Sequence, residues 1–264
     1  MKIAIASDLH LEFHKINLDT FFTTEADVLV LAGDTVPAKK IEDHLEFFDR
    51  CSESYGDVIY VLGNHDYYGM SIPEAERKIR KFFVDNELTN IHVLQNQEIH
   101  IGKVAFLGTT LWTDVGGDNL AGKAHIHGMM NDFSLISVGE VPNQRRLTPD
   151  DTIREHNYAR KWLRERLNLI PDGMKPFVVT HHAPHFESVG PRFRNDYYGN
   201  MAFFSNLLDI LDDFSVIWVH GHMHDSSHYK EGQSMVICHP RGYPGEDARR
   251  VMNGYSYKPM IIEV

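Results

Sequence analysis

The stretch Val58-Ile59-Tyr60-Val61-Leu62-Gly63-Asn64-His65-Asp66 sets an apolar run directly before residues able to turn the chain, bind a cation or carry a proton. Such a run of apolar and β-branched residues reads as a strand buried on both faces. Four further stretches repeat the arrangement. Residues 3–7 lead into Asp8-Leu9-His10, and residues 28–32 into Gly33-Asp34. Residues 177–180 lead into His181-His182, and 216–220 into Gly221-His222-Met223-His224. In sheets assembled from such strands, ligands bind beyond the carboxyl ends. One polar residue there means little. Five sets of oxygen and imidazole donors predict a metal site.

Side chains two residues apart in extended backbone point the same way. Asp8 and His10 are therefore expected to face one ion, and His222 and His224 likewise. Gly33 and Gly221 precede ligands where a missing Cβ lets the backbone turn and approach closely. Asp34 offers two carboxylate oxygens and can bridge two ions, while Asn64 offers a neutral carbonyl oxygen. Asp8, His10, Asp34, Asn64, His181, His222 and His224 exceed what one tetrahedral ion needs and suit two ions sharing a bridge. Ions ~3.5–4 Å apart suit phosphoryl hydrolysis, because they hold nucleophile and leaving oxygen in line and bring hydroxide within reach of neutral pH. His65 is the expected general acid for the departing oxygen, with Asp66 placed to orient it.

The ordered set Asp-x-His, Gly-Asp, Gly-Asn-His-Asp, His-His and Gly-His-x-His resembles the calcineurin-like metallophosphoesterase superfamily, with the match running from Asp8 to His224. Gly108–Trp112 (Gly-Thr-Thr-Leu-Trp) and 180–184 (Thr-His-His-Ala-Pro) resemble its bacterial-type members. So does His239-Pro240-Arg241-Gly242-Tyr243, with histidine where those members carry asparagine; Asp66 stands where glutamate is commoner. The resemblance implies an α/β fold, a four-layer αββα sandwich of two mixed β-sheets flanked by helices. It implies a first metal on Asp8, His10, Asp34 and His224, a second on Asp34, Asn64, His181 and His222, and protonation of the leaving group by His65. Of the adjacent pair, it favours His181 as the ligand, leaving His182 to orient a ligand or a phosphate. Arg241 is a candidate phosphate contact, since a guanidinium fork matches phosphate oxygens. His125 and His127 imitate ligand spacing but follow no strand.

Bulk properties narrow the function. The 264 residues are enough to bury roughly three quarters of the unfolded surface in one domain spanning 1–264. With 26 Lys and Arg against 37 Asp and Glu, the formal charge is −11, which argues against polymeric nucleic acid as the partner. Two cysteines outside any zinc spacing fit a reducing cytoplasm. No apolar stretch approaches the ~20 residues of a membrane span, and a strand from Lys2 leaves no room for a removable signal.

Along the chain, helices are expected over 41–51 and 71–86, the latter opened by a Ser71/Glu74 capping box with Pro73 in its first turn. Short strands follow over 91–94, 98–101 and 104–107. A polar region, 112–147, reads as a long loop insertion able to contact substrate. Thr148-Pro149-Asp150-Asp151 starts a helix to about residue 169, and another is expected over 202–211. A hairpin of 227–230 with 235–239 and a last strand over 259–264 close the chain. The expected function is hydrolysis of small phosphate esters, nucleotide-like monoesters or diesters, by metal-bound hydroxide at two divalent ions, manganese ahead of iron, zinc, cobalt or nickel. A nuclease acting on nucleic-acid ends and a non-catalytic scaffold of the same fold are the alternatives.

Overall fold

The computed structural model describes residues 1–23, 25–246 and 257–264. Its strands in chain order are β1 (Lys2–Ala6), β2 (Val28–Ala32), β3 (Asp57–Val61), β4 (Ile91–Val93), β5 (Gln97–Ile101), β6 (Val104–Thr109), β7 (Ser137–Val138), β8 (Arg145–Arg146), β9 (Lys175–Thr180), β10 (Ile217–His220), β11 (Ser227–Glu231), β12 (Ser234–Cys238) and β13 (Met260–Glu263). One sheet runs β13-β1-β2-β3-β4, the other β11-β12-β10-β9-β6-β5, with β7-β8 a separate ribbon. Both sheets are mixed: β1 to β4 pair in parallel with β13 antiparallel, and β6, β9, β10 and β12 are parallel between antiparallel β5 and β11.

The two-residue period of a strand explains the layering. In β1 to β3, Ile3, Ile5, Val28, Val30, Ile59 and Val61 face Phe106, Phe177, Val179 and Val219 of the other sheet. Their alternates Ala4, Ala6, Leu29, Leu31, Val58 and Tyr60 pack on the helices Leu45–Ser54 and Ile72–Asp85. The alternates of the second sheet, Leu107, Val178 and Trp218 among them, pack against Ala159, Leu163 and Ile210 of the helices Pro149–Leu167 and Leu208–Asp213. Both faces of every central strand are covered, so the strands read as unbroken apolar runs. The result is the four-layer αββα order. The parallel strands β1, β2, β3, β9 and β10 all point their carboxyl ends to one edge.

Local signals set the element boundaries where the chain is self-sufficient. Ser71 and Glu74 form their capping box, with Pro in the first turn. Residues 41–51 do not form one helix: a 3₁₀ stretch, Ala38–His44, precedes the α-helix Leu45–Ser54. Two further expectations fail. The region 112–147 is not a plain loop but holds the helices Leu120–Met129 and Asp132–Leu135 and the β7-β8 ribbon. The helix expected over 202–211 begins only at Leu208, because Phe204 bridges to Ala183, and Ser205 and Leu207 donate to the carbonyls of Ala183 and Pro184. Among the described residues, no helix is long and apolar enough to cross a membrane.

The helix Pro149–Leu167 supplies a test. Asp151, buried, accepts from the Thr148 backbone (3.0 Å) and hydroxyl (2.7 Å) and from the Arg145 guanidinium (2.5 and 2.7 Å), and it also pairs with Arg154. Burial alone would raise its pKa; the bonds from Arg145, Thr148 and Arg154 outweigh burial and hold it below the ordinary 3.8. A carboxyl depressed on folding stabilises fully above its unfolded pKa and loses that effect as pH falls. Asp151→Ala should lower the urea unfolding free energy by about 1–2 kcal/mol at pH 7. The gap from wild type should narrow on acidification below pH 3.8.

Candidate metal centre

All seven expected ligands lie at the common strand edge, and each is buried or nearly so. They arrive by a backbone device the spacing rule did not anticipate. Asp8, His10, Asp34, His222 and His224 all have left-handed φ, between 46° and 67°. Asp8-x-His10 and His222-x-His224 therefore converge by a tight turn past the strand end, not by the pleat of extended chain. Left-handed backbone is strained for residues with a Cβ and persists only when surroundings over-determine it. Here cross-links do so: Asp8 N–H donates to Gly33 O (3.0 Å), His10 N–H to Asp34 O (3.0 Å), and His222 N–H to Asp8 Oδ1 (2.9 Å). Gly33 and Gly221 do have the close approach expected of them. A Cβ on Gly221 would lie 2.7 Å from Ala32 O and 2.8 Å from Asp8 Oδ2, and one on Gly33 would enter the His181 ring.

Asp34 is the hub. Its Oδ1 accepts the His65 N–H (2.8 Å) and lies 3.3 Å from His181 Nε2, and its Oδ2 lies 3.7 Å from His10 Nε2. On one side His10 Nε2 meets His224 Nε2 at 3.1 Å, with Asp8 Oδ1 3.5 Å from His224. On the other, His181 Nε2 lies 3.0 Å from Asn64 Oδ1, and His222 completes a group with Asp34 and His181. Donor atoms of Asp8, His10 and His224, and of Asp34, His181 and His222, fall within 4.8 Å of one another.

Three histidines hold the far ring nitrogen on an oxygen: His10 Nδ1 on Glu12 (3.2 Å), His181 Nδ1 on Ala32 O (3.0 Å) and His224 Nδ1 on Glu246 (2.8 Å). That leaves Nε2 aimed inward, the arrangement that presents an imidazole lone pair to a metal. His222 Nε2 is buried without a hydrogen-bond partner, a cost of about 1–3 kcal/mol that coordination would remove. Burial and the neighbouring His182 and His181 push the His222 pKa far down, so its imidazole is neutral. Burial would lower His181 and His224 as well, but Asp34 raises His181 to about 9, and Asp8 with Glu246 raises His224 to about 10. These carboxylates demand positive charge beside them, and the donor set fits divalent cations.

His65 stands at the rim. Its Nδ1 is 3.2 Å from Glu12 Oε1, its Nε2 is 2.8 Å from the Tyr243 hydroxyl, and its ring stacks on Tyr68 with centroids 4.1 Å apart. Asp66, expected to orient this ring, does something else. Its carboxylate accepts from the backbone of Gly63 (2.7 Å), Asp34 (2.9 Å) and Val36 (2.9 Å) and from the Tyr60 hydroxyl (3.1 Å). It braces the two ligand loops from beneath, and burial beside Asp34 raises its pKa to about 7. Glu12 holds His65 instead. Arg241 also departs from expectation: its guanidinium donates to the carbonyls of Leu9 (2.9 Å), His14 (3.2 Å) and Lys15 (2.8 Å) and is buried. It fastens the loop carrying His10 and Glu12 and is not presented to a phosphate. His182 is likewise turned away from solvent. Its Nδ1 meets Thr110 O (3.2 Å) and its ring backs His222 at 4.3 Å, so it packs behind the ligands, and burial with His181 lowers its pKa to about 3. His181, not His182, faces Asp34.

Sequence reasoning passed over Glu12, Tyr68, Asp132 and Glu246. Asp132 fixes the amide of Asn64 by accepting from Nδ2 (2.8 Å), leaving Oδ1 toward His181. Glu12 continues the series 8, 10, 12; Tyr68 follows His65 by three residues, while Asp132 and Glu246 lie far off in sequence and carry no pattern. A cleft of about 380 Å³ opens over Asp34, Asn64, His65, His222 and His224, walled by Met129, Met130, Phe193 and Phe203.

Residues 1–226 match the family described as calcineurin-like phosphoesterases. An uncharacterized protein, L509, of Acanthamoeba polyphaga mimivirus is 29% identical, across 95% of this chain and 94% of that protein. A phosphopantetheinyl hydrolase from Mycobacterium tuberculosis superposes with a TM-score of 0.71 at 18% identity, over 98% of this chain and 95% of that one. GAP50, described as the anchor in the inner membrane complex of Plasmodium, gives 0.50 at 13% identity, over 90% and 70%. At these identities the two structures bear on the fold alone.

The bonds of Arg241 lead to a measurable outcome. Arg241→Ala should cost about 2–3 kcal/mol in urea unfolding, because two or three buried carbonyls lose a charged donor. A phosphate-binding arginine would instead leave stability unchanged and raise KM.

Proposed function

The chain belongs to the calcineurin-like phosphoesterases, metal-dependent hydrolases of phosphate esters, and from that premise we propose that it hydrolyses small, nucleotide-like phosphate esters at a dinuclear centre. The observation that carries the reading is the place of Asp34 between two donor groups, Oδ2 3.7 Å from His10 Nε2 on one side and Oδ1 3.3 Å from His181 Nε2 on the other. Asp8, His10, Asp34 and His224 would hold one ion, and Asp34, Asn64, His181 and His222 the other. The chemistry divalent ions supply when bound there is acidification of water and neutralisation of phosphoryl charge. Manganese suits the mixture of carboxylate, imidazole and amide donors, as do iron, zinc, cobalt and nickel.

The protein's own groups account for the remaining steps. His65 carries the proton for the leaving oxygen, held in place by Glu12 at Nδ1 and by stacking on Tyr68. Burial would lower its pKa, but the charges of Asp34 and Glu12 raise it, favouring the protonated ring that a general acid needs. The walls of Met129, Met130, Phe193 and Phe203 exclude water and suit an apolar or ring-bearing group on the ester. The segment 112–147 supplies part of that wall and acts as the substrate-contacting insertion of a single domain spanning 1–264. The net charge of −11 favours small substrates over nucleic acid, and the scarcity of cysteine favours the cytoplasm.

The test is turnover of p-nitrophenyl phosphate and its bis-ester by manganese-loaded protein, with chelation abolishing it and added metal restoring it. His65→Ala should lower kcat by about 10²–10⁴-fold with metal content, read by mass spectrometry, unchanged. Equal turnover in the variant would remove His65 from the chemistry, and no turnover by fully metallated wild type would count against the whole reading.

A further inference from the structure

We infer that the substrate is two-armed and that its leaving arm is a nucleotide, bound on Lys39, Lys40 and Phe13; this deepens the hydrolase reading and rests on it. A second groove, about 640 Å³, adjoins the metal cleft and is lined by Phe13, Lys39, Lys40, Leu135 and Pro244, with Glu12, whose carboxylate is engaged by His10 and His65, at its inner end. The two spaces share His65, Tyr68, Asn131 and Tyr243. Asp34, Asn64, His222 and His224 border the first cleft but not the second. Phosphorus must sit over those donors, so a group leaving it past His65 enters the second groove.

The composition of that groove specifies its occupant. Phe13 is 55% exposed, and its ring stands 5.6 Å from Tyr243 and 6.1 Å from His65. It offers a free face for stacking a flat ring, a contact of about 1–3 kcal/mol per base in nucleic-acid sites. Lys39 and Lys40 are exposed, and among the described residues neither joins an ion pair. Lys39 lies along Gly69, where a Cβ would stand 3.4 Å from its Cδ. Two unpaired cations at the rim of a site, in a chain of net charge −11, are suited to an anion. Ring and anion together describe a nucleoside monophosphate. Hydrolysis then forms one O–P bond from water and breaks the P–O bond to that nucleotide. The departing oxygen takes the proton carried by His65, and the proton of water passes to solvent.

The experiment compares kcat/KM of the full metal-loaded chain on a dinucleoside 5′,5′-diphosphate, which releases a nucleoside monophosphate, and on bis(p-nitrophenyl) phosphate, whose leaving group bears no phosphate. The double variant Lys39→Ala/Lys40→Ala should lower the ratio of the two constants by about tenfold, mainly through KM, and Lys39→Arg/Lys40→Arg should restore it. Added salt should lower the wild-type ratio and leave that of the alanine variant flat. A ratio unmoved by the alanines, or wild type that cleaves the aryl diester and not the dinucleotide, overturns the inference and leaves the hydrolase standing. Failure on both with p-nitrophenyl phosphate still turned over also overturns the inference and leaves the hydrolase standing; failure on all three removes both.

Discussion

The carboxylate of Asp34 is the constraint on which the rest of the centre depends. It is about 1% exposed and shares its surroundings with two more acids, Asp8 and Asp66. A buried charge is tolerated only when paired and hydrogen-bonded. Among the described residues, the Asp34 carboxylate has one backbone bond, from His65, and otherwise imidazole nitrogens at 3.3 and 3.7 Å. Imidazoles whose other nitrogens are committed to Glu12 and Ala32 O present Nε2 toward it. Such a group is satisfied by cations, and the strained backbone at five ligands is held in place for that end.

The fold delivers this arrangement cheaply in chain length. Parallel strands in two sheets bring residues as distant as Asp8 and His224 to one edge. Beneath that edge Asp66 gathers Gly63, Asp34 and Val36, tying the β2 and β3 loops together, while Arg241 ties the loop after β1 to the chain's far end. The side chains nearest the reacting groups thus rest on a frame of backbone hydrogen bonds, which positions them more closely than mobile loops would.

Most of the frame was readable in sequence because strands buried on both faces leave continuous apolar runs, and the residue after each run is compelled to the edge. That rule brings all seven candidate donors to the edge, while the choice of His181 over His182 rests on the family resemblance. The roles of Asp66 and Arg241 were not readable, because their partners are main-chain N–H and carbonyl groups, which no side-chain pattern records. Nor was the helix Leu120–Met129, whose sequence carries Gly122 and Gly128 and lacks a clear apolar stripe. Residues 202–207 stay out of the helix because pairing with the loop after β9 outweighs local propensity. Glu12 is a third acidic or imidazole residue in the series 8, 10, 12 beyond a strand end, a signal the sequence carries.

The account stands or falls on Asp34 as a shared ligand. Anomalous diffraction from manganese-soaked crystals tests that most directly. It should show two peaks, one between Asp34 and the His10–His224 pair, the other between Asp34 and the His181–His222 pair. A single peak, or peaks that leave the Asp34 carboxylate uncoordinated, would contradict it.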